Sequence, residues 1–409
     1  MDAPNFEHPW LAPDQVRDLV ATHGSPLYVY HEPTLRSRCR EVARMLPGRD
    51  FHPSVSIKTN GNPALLAIAR EEGLRGDAMS PGEILLLERA GFRSDEIFFI
   101  PNNVSREELE FARDRRILTS LDSLDQVRLA AEVFSGLEVA LRVNPLVGDG
   151  HHGKVVTAGA RVKFGILPSE IPQAVEILSA RGVEVVGLNQ HIGSGFLEPS
   201  RYLEAARILL EVCREVPSVR IVDFGGGFGI GYRSESRLDL VRVGEGLAAL
   251  LDTWEKSTGR SLRAQVEPGR YVFAECGVVL GTVHAVKERE GIRIAGCDIG
   301  FNVLQRPVLY DAYHRIDVVG DDLPSRRVAT VEWVGNICES GDILGRDRSG
   351  PEPRTGDLLV VRDAGAYGWA MSSSYNARPR PAEVLIGSDG GIRVIRRRES
   401  LADLFVQLP

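Results

Sequence analysis

From about residue 53 the chain alternates short apolar, β-branched runs with longer stretches whose apolar residues recur every three or four positions. The first pattern is that of strands buried on both faces, the second that of amphipathic helices packed against them. Strands are predicted at 53–58, 74–78, 96–100, 117–121, 138–144, 184–190, 220–224 and 263–266. Helices at 63–72, 81–90, 106–115, 124–134, 168–180, 199–216 and 238–257 lie between them, several opening on Ser, Asp or Pro. Eight strands in βα alternation point to a (β/α)8 barrel rather than an open doubly wound sheet.

Beyond about residue 280 the texture changes. Short strand-like runs at 282–287, 292–297, 328–334, 358–362, 381–386 and 392–396 are separated by Gly, Pro and Asp turns, the pattern of an all-β domain. Residues 26–30 are also strand-like and can join it. The expected division is therefore discontinuous: 1–31 contributes to the β-domain, 32–280 forms the barrel, and 281–409 forms the C-terminal β-domain. A length of 409 residues suits two domains.

Composition narrows the function classes. The chain is 43% hydrophobic and 26% charged, enough for a large core, and its formal charge of −7 argues against nucleic-acid or anionic-membrane partners. No apolar run approaches the roughly 18 residues of a membrane helix. The opening Met1-Asp2-Ala3-Pro4-Asn5-Phe6-Glu7 lacks the basic and apolar regions of a signal peptide, so a cytoplasmic location is expected. Cys39, Cys213, Cys276, Cys297 and Cys338 are odd in number and scattered, which fits reduced thiols. His151 and His152 invite a metal reading, but no carboxylate or cysteine stands at ligand spacing. With Gly148-Asp149-Gly150 before them they read as a mobile loop, and no metal is expected.

In such barrels chemistry gathers at the C-terminal ends of the strands. Lys58 follows the first strand, His191-Ile192-Gly193-Ser194 the sixth, Asp223-Phe224-Gly225-Gly226-Gly227 the seventh and Glu267-Pro268-Gly269-Arg270 the eighth. Each has a plain reading and a chemical one. Lys58 is either a solvated amine or a partner for an aldehyde cofactor. The glycines make either a tight turn or a set of backbone N–H groups for a phosphate; they are no dinucleotide fingerprint, since Ile230 holds the third glycine position. Ser194 is a cap or a phosphate donor. His191 is a core residue or stacks on an aromatic cofactor. Glu267 is an ion-pair partner, or it keeps a pyridine nitrogen protonated so that the ring takes up electrons. Convergence of all four clusters on one mouth favours the chemical readings.

Taken in order, Lys58-Thr59-Asn60, Asp77, Ser80-Pro81-Gly82-Glu83, Arg142-Val143-Asn144-Pro145, Lys163-Phe164-Gly165 and the three later clusters are followed by Arg306-Pro307-Val308-Leu309-Tyr310, Cys338-Glu339-Ser340-Gly341-Asp342, Asp363-Ala364-Gly365-Ala366-Tyr367 and the run from Met371 to Asn376. This series resembles the fold-type III pyridoxal-phosphate-dependent decarboxylases, the alanine-racemase-like barrel group, and within it the diaminopimelate decarboxylase branch. The likeness extends from Pro26-Leu27-Tyr28-Val29-Tyr30 to the segment Arg380 to Leu385.

The resemblance implies that Lys58 carries pyridoxal 5'-phosphate, that His191 stacks on its ring and that Glu267 pairs with its ring nitrogen. Ser194, the Gly225, Gly226 and Gly227 loop, amides near Gly269, and Tyr375 would bind its phosphate. Arg270 and Tyr367 would line both cofactor and substrate. Arg270, Arg306 and Tyr310 match positions that take the distal carboxylate of the substrate, and Glu339 the position that meets its distal amine. A homodimer with shared active sites is also implied, in which Cys338 and Glu339 enter from the partner and Cys338 returns a proton after CO2 leaves. The implied reaction converts meso-2,6-diaminopimelate, at its D-centre, to L-lysine. Thr59, Gly195-Phe196, Trp369 and Ser374 depart from the usual pattern and keep D-ornithine, D-lysine or a carrier-linked amino acid in view as substrates. Retention of both Arg270 and Arg306 argues for a free distal carboxylate. A racemase and an inactive homologue are disfavoured by the Cys338–Asp342 segment and by intact Lys58, Glu267 and Cys338.

Overall fold

The computed structural model describes residues 6–150, 157–159, 161–233 and 235–408; His151 and His152 lie outside them. The chain divides into two units, one of residues 36–231 and 236–272, the other of residues 1–35, 232–235 and 273–409.

Strand β1 (Leu27–His31) belongs to the second unit. The next eight build the first: β2 (Ser54–Ser56), β3 (Arg75–Ala78), β4 (Ile97–Phe99), β5 (Leu118–Leu121), β6 (Glu138–Arg142), β7 (Glu184–Asn189), β8 (Ile221–Asp223) and β9 (Arg263–Gln265). They pair in sequence order, all parallel. Backbone bonds from Ser54 N–H to the Val266 carbonyl (2.8 Å) and from Ala264 N–H to the Asp50 carbonyl (2.9 Å) bring the last strand back to the first. This is the expected (β/α)8 barrel. Its strands are short and almost wholly buried because helices cover the outside and side chains fill the inside.

Helix starts are set by local chemistry immediately after the strand-end loops. Asn62, Ser80, Ser105, Ser123 and Asp239 each accept a backbone N–H from the first turn of the helix that follows. Lys58 differs slightly from expectation. It lies one turn beyond the strand, in a 3-10 turn over Ile57–Thr59. The turn forms because the Asn60 N–H reaches the Ile57 carbonyl (3.0 Å) and the Thr59 hydroxyl reaches the Ser56 carbonyl (2.6 Å).

The second unit holds β10 (Gly277–Arg289), β11 (Ile292–Cys297), β12 (Ile316–Val319), β13 (Val328–Val334), β14 (Ile343–Pro351), β15 (Leu358–Val361), β16 (Ala382–Ile386) and β17 (Ile392–Arg396). The main path runs β14-β13-β11-β10-β1-β16-β17, with β15 also on β10 and β12 on β15. β10 begins at Gly277, so this unit takes over before residue 280. β1 is central, antiparallel to β10 and parallel to β16. The helix Pro13–His23 packs Val16 and Leu19 against Leu27, Val29, Val278 and Val384 of this sheet. The periodicity did not predict that helix, nor β12 and β14. β12 has four residues, and β14 carries Gly345, Arg346, Asp347 and Arg348 where apolar alternation would have marked a strand.

Candidate active site

The barrel strands place their polar residues at one mouth. Lys58 Nζ donates to Ser56 Oγ (2.6 Å) and lies 3.9 Å from Asp77 Oδ2. Asp77, on β3, is completely buried, and burial raises its pKa against the pull of Lys58 and Arg142. A buried acid beside a lysine fixes the amine at the strand end while the amine keeps an approach from solvent. The pattern of apolar residues did not single out Asp77; its signal was a lone acid inside an otherwise buried strand.

Glu267 and Asp223 follow and end adjacent strands, and both are buried. The Gly225 N–H donates to Asp223 Oδ1 (2.8 Å). Asp223 and Glu267 hydrogen-bond each other, and beyond that contact Asp223 Oδ2 and Glu267 Oε1 meet no donor among the described residues. Burial, then repulsion from Asp223 and Asp77, holds the Glu267 pKa far above the carboxylate range. Burial likewise pushes Asp223 up to about 7. Two such carboxyls share a titration, and a cation between the strand ends would favour ionisation of both. A buried carboxyl pair that meets no other donor fits a protonated pyridine nitrogen, so these residues suit pyridoxal phosphate.

His191 accepts the Gly226 N–H on Nδ1 (3.2 Å), which assigns the proton to Nε2 and makes the ring neutral. Burial and the nearby charges of Lys58 and Arg142 hold its pKa far below the usual histidine value. A neutral, oriented imidazole can lie flat against an aromatic ring. Arg270 Nη2 donates to Ser194 Oγ at 3.0 Å, which sets a hydroxyl directly beside a guanidinium. That pair suits an anion.

The glycine loop is more tightly used than the sequence implied. A Cβ at Gly225 would collide with the Gln190 carbonyl, one at Gly226 with that of Glu267, and one at Gly227 with that of Gly193. Absent side chains therefore let three strand-end loops close on one another. The N–H groups of Gly225 and Gly226 are engaged by Asp223 and His191, so in this structure they are not the open phosphate donors that were expected. The Gly195-Phe196 departure belongs to the same packing. Phe196 is buried and stacks with Tyr202 at 5.4 Å and edge-on with Phe228 at 5.9 Å, and the Tyr202 hydroxyl donates to the Gly225 carbonyl (3.1 Å). Thr59 packs its methyl against Gly269.

The remaining predicted residues lie in the second unit. Arg306 and Tyr310 bound the short helix Arg306–Tyr310, and Arg306 is buried. Thus Arg270 and Arg306 fall in different units. Buried Asp342 accepts the Phe301 N–H (2.7 Å) and the Ile337 N–H (2.8 Å), pinning the loop that presents exposed Cys338 and Glu339. Asn376 clasps Cys338, accepting its N–H (3.0 Å) and donating to its Sγ (3.2 Å). The Tyr375 hydroxyl, expected on a phosphate, donates instead to Glu339 Oε1 (2.8 Å), so it reaches a phosphate only by giving up that bond. Tyr367 and Asp363 adopt left-handed backbone conformations within one loop, strain that non-glycine residues hold only when the surroundings enforce it. Trp369 is structural: Arg380 and Arg396 cover its ring and its indole N–H donates to the Pro381 carbonyl (3.1 Å). Nothing in the structure explains Ser374.

No helix among the described residues is long and apolar enough to cross a membrane. Residues 32–274 match the family described as pyridoxal-dependent decarboxylase, pyridoxal binding domain. A diaminopimelate decarboxylase of Methanothermobacter thermautotrophicus is 39% identical over 95% of this chain and 92% of its own length. One from Archaeoglobus fulgidus is 36% identical over 95% and 94%. Among solved structures, diaminopimelate decarboxylase from Helicobacter pylori complexed with L-lysine superposes with a TM-score of 0.89 at 28% identity, over 95% of this chain and 98% of that one. The arginine decarboxylase of Paramecium bursaria Chlorella virus shares the fold, with a TM-score of 0.80 at 19% identity over 92% and 100% of the two chains. A barrel mouth with a lysine, a neutral imidazole, a buried carboxyl pair and an anion subsite thus coincides with a match over most of the chain, and the chain belongs to the pyridoxal-dependent decarboxylase family, with pyridoxal phosphate as its cofactor.

Proposed function

We propose that the chain decarboxylates meso-2,6-diaminopimelate at its D-centre, giving L-lysine and CO2. The observation that carries the substrate choice is the presence of two buried guanidiniums, Arg270 and Arg306, where a substrate with no distal carboxylate would need fewer cations. Relatives named diaminopimelate decarboxylase over nearly the whole length support the same choice.

When bound, the cofactor supplies a protonated ring that takes up the electron pair left as CO2 departs. Lys58 would hold its aldehyde group, with Ser56 and Asp77 keeping the lysine nitrogen in place. Glu267, hydrogen-bonded to Asp223, would keep the ring nitrogen protonated. His191 would cover one ring face, Ser194 and the Gly227 amide would hold the phosphate, and Arg270 would serve both the phosphate and the distal carboxylate. Arg306 and Tyr310 receive the distal carboxylate, Glu339 the distal amine, and Tyr367 lines the pocket. Cys338 returns a proton to the decarboxylated carbon. We place the reaction in the cytoplasm, where the free cysteines stay reduced.

Purified, cofactor-loaded protein is expected to release L-lysine from meso-diaminopimelate, read by mass spectrometry. No product from protein that has taken up the cofactor would move the substrate to another D-configured or carrier-linked amino acid.

The same reading makes the enzyme a homodimer in which Cys338 and Glu339 serve the barrel of the partner. Cys338→Ala is expected to bind cofactor normally and turn over slowly, by about 10²-fold or more. Co-assembled with a Lys58→Ala chain, it should regain about a quarter of the wild-type sites, because each mixed dimer rebuilds one whole site. If the two inactive variants restore nothing together, the sites are not shared.

A further inference from the structure

The strongest feature that the roles above leave unused lies under Arg306. Arg306 Nη1 and His314 Nε2 are 2.7 Å apart, and His314 Nδ1 is 2.7 Å from the Arg362 carbonyl. Both residues are buried. A guanidinium can only donate, so His314 Nε2 accepts. The proton then sits on Nδ1 and is given to the carbonyl of Arg362. The imidazole is therefore neutral and its tautomer is dictated by both neighbours. Tyr232 completes the arrangement. Its ring lies under the Arg306 guanidinium, 4.7 Å from the ring centroid, and meets the His314 ring nearly edge-on at 5.4 Å.

The fold holds this histidine on purpose-built backbone. After the helix Arg306–Tyr310, Asp311 takes a left-handed conformation and turns the chain back. His314 then precedes β12, whose antiparallel pairing with β15 brings the Arg362 carbonyl beneath the ring; the Arg362 N–H also bonds the Arg315 carbonyl (2.9 Å). A carboxylate in place of His314 would fix the guanidinium equally well but would cancel its charge. An imidazole fixes it and adds none. Asp363, whose charge is felt by Arg306, is pushed up to about 7 by burial and by Glu275, so it carries only part of a negative charge at neutral pH.

We propose that His314 is a positioning residue for substrate selection: it orients Arg306, without neutralising it, toward the distal carboxylate of an amino-acid substrate. The inference rests on the assignment of that carboxylate to Arg306. It predicts that His314 acts on recognition of one end of the substrate and leaves the reacting end alone.

The test compares two inhibitors of the cofactor-loaded enzyme, L-lysine, which keeps the distal carboxylate, and 1,5-diaminopentane, which lacks it. His314→Asn keeps a donor for the Arg362 carbonyl but cannot reach Arg306. It is expected to weaken L-lysine about 10–100-fold, to raise KM for diaminopimelate to a similar degree with kcat changed much less, and to leave diaminopentane within about twofold. His314→Gln places an oxygen acceptor near the Nε2 position and is expected to restore most of the loss. Equal damage by Asn and Gln, or equal weakening of both inhibitors, would overturn the proposal and leave His314 a structural residue. Arg306→Ala separates the two claims. If it discriminates between the inhibitors and His314→Asn does not, only the role of His314 falls. If Arg306→Ala fails to discriminate, the carboxylate assignment itself falls and takes the positioning role with it.

Discussion

Lys58→Ala is expected to lose the near-visible absorbance of lysine-bound cofactor and to lower kcat on the order of 10⁴-fold. The expectation follows from position as well as residue type. Lys58 sits in a tight turn fixed by Thr59 and Asn60, with Ser56 at 2.6 Å and buried Asp77 at 3.9 Å from its nitrogen. An absorbance titration of cofactor into the variant, followed by turnover with saturating substrate, reads both effects. Retained absorbance with the lysine gone would remove Lys58 from the chemistry.

Glu267→Gln is expected to produce opposite changes in activity and in stability. Turnover should fall by about 10²–10⁴-fold, because a neutral amide no longer holds the ring nitrogen protonated. Stability of the cofactor-free protein should rise at alkaline pH. The sign follows from the direction of the shifts. Glu267 and Asp223 both titrate above their ordinary values of 4.5 and 3.8, so the native state binds protons that the unfolded chain has released. Stability is then lost as pH climbs from the ordinary carboxylate range through the raised folded values, which for Asp223 is about 7. Glutamine removes one member of the repelling pair and with it most of that loss. For a chain of this size each kcal/mol recovered appears as roughly 2–4 °C in melting temperature. Melting curves of apo wild type and variant at pH 6 and pH 8.5 decide the matter: a variant that gains nothing at the higher pH would show that the two carboxylates do not oppose each other. Function and stability diverge here because a site built to meet a cation is strained without one.

Periodicity made the barrel legible because its eight strands are short apolar runs set between capped helices, and the structure trims each by one to three residues. The β-unit was harder to read. Its strands β12 and β14 owe their conformation to pairing partners far along the chain rather than to local pattern, and the helix Pro13–His23 packs on a sheet that the sequence alone does not display. At the site, residue types at strand ends were readable, since a lysine, a histidine, a serine and a glutamate stand out against apolar neighbours. Their partners were not. Asp223 reads as an ordinary residue before a glycine turn until Glu267 is placed beside it, and His314 has no meaning until the turn at Asp311 returns it to Arg306. The glycine loop shows the same limit: its composition suggested open amides, whereas two of them are already engaged.

The placement of β1 sets the order in which the molecule can be made. Val29 lies between Val278 on one side and Val384 on the other, so β1 is completed by strands made about 250 and 350 residues after it. The barrel segment has all its strands once residue 272 has emerged; Leu27 and Val29, both fully buried in the finished protein, gain β10 on one side soon afterwards but wait for residues 382–386 on the other. A nascent chain halted before Ala382 would thus carry a whole barrel and an open, sticky sheet edge, the kind of surface on which chaperones act and neighbouring copies aggregate.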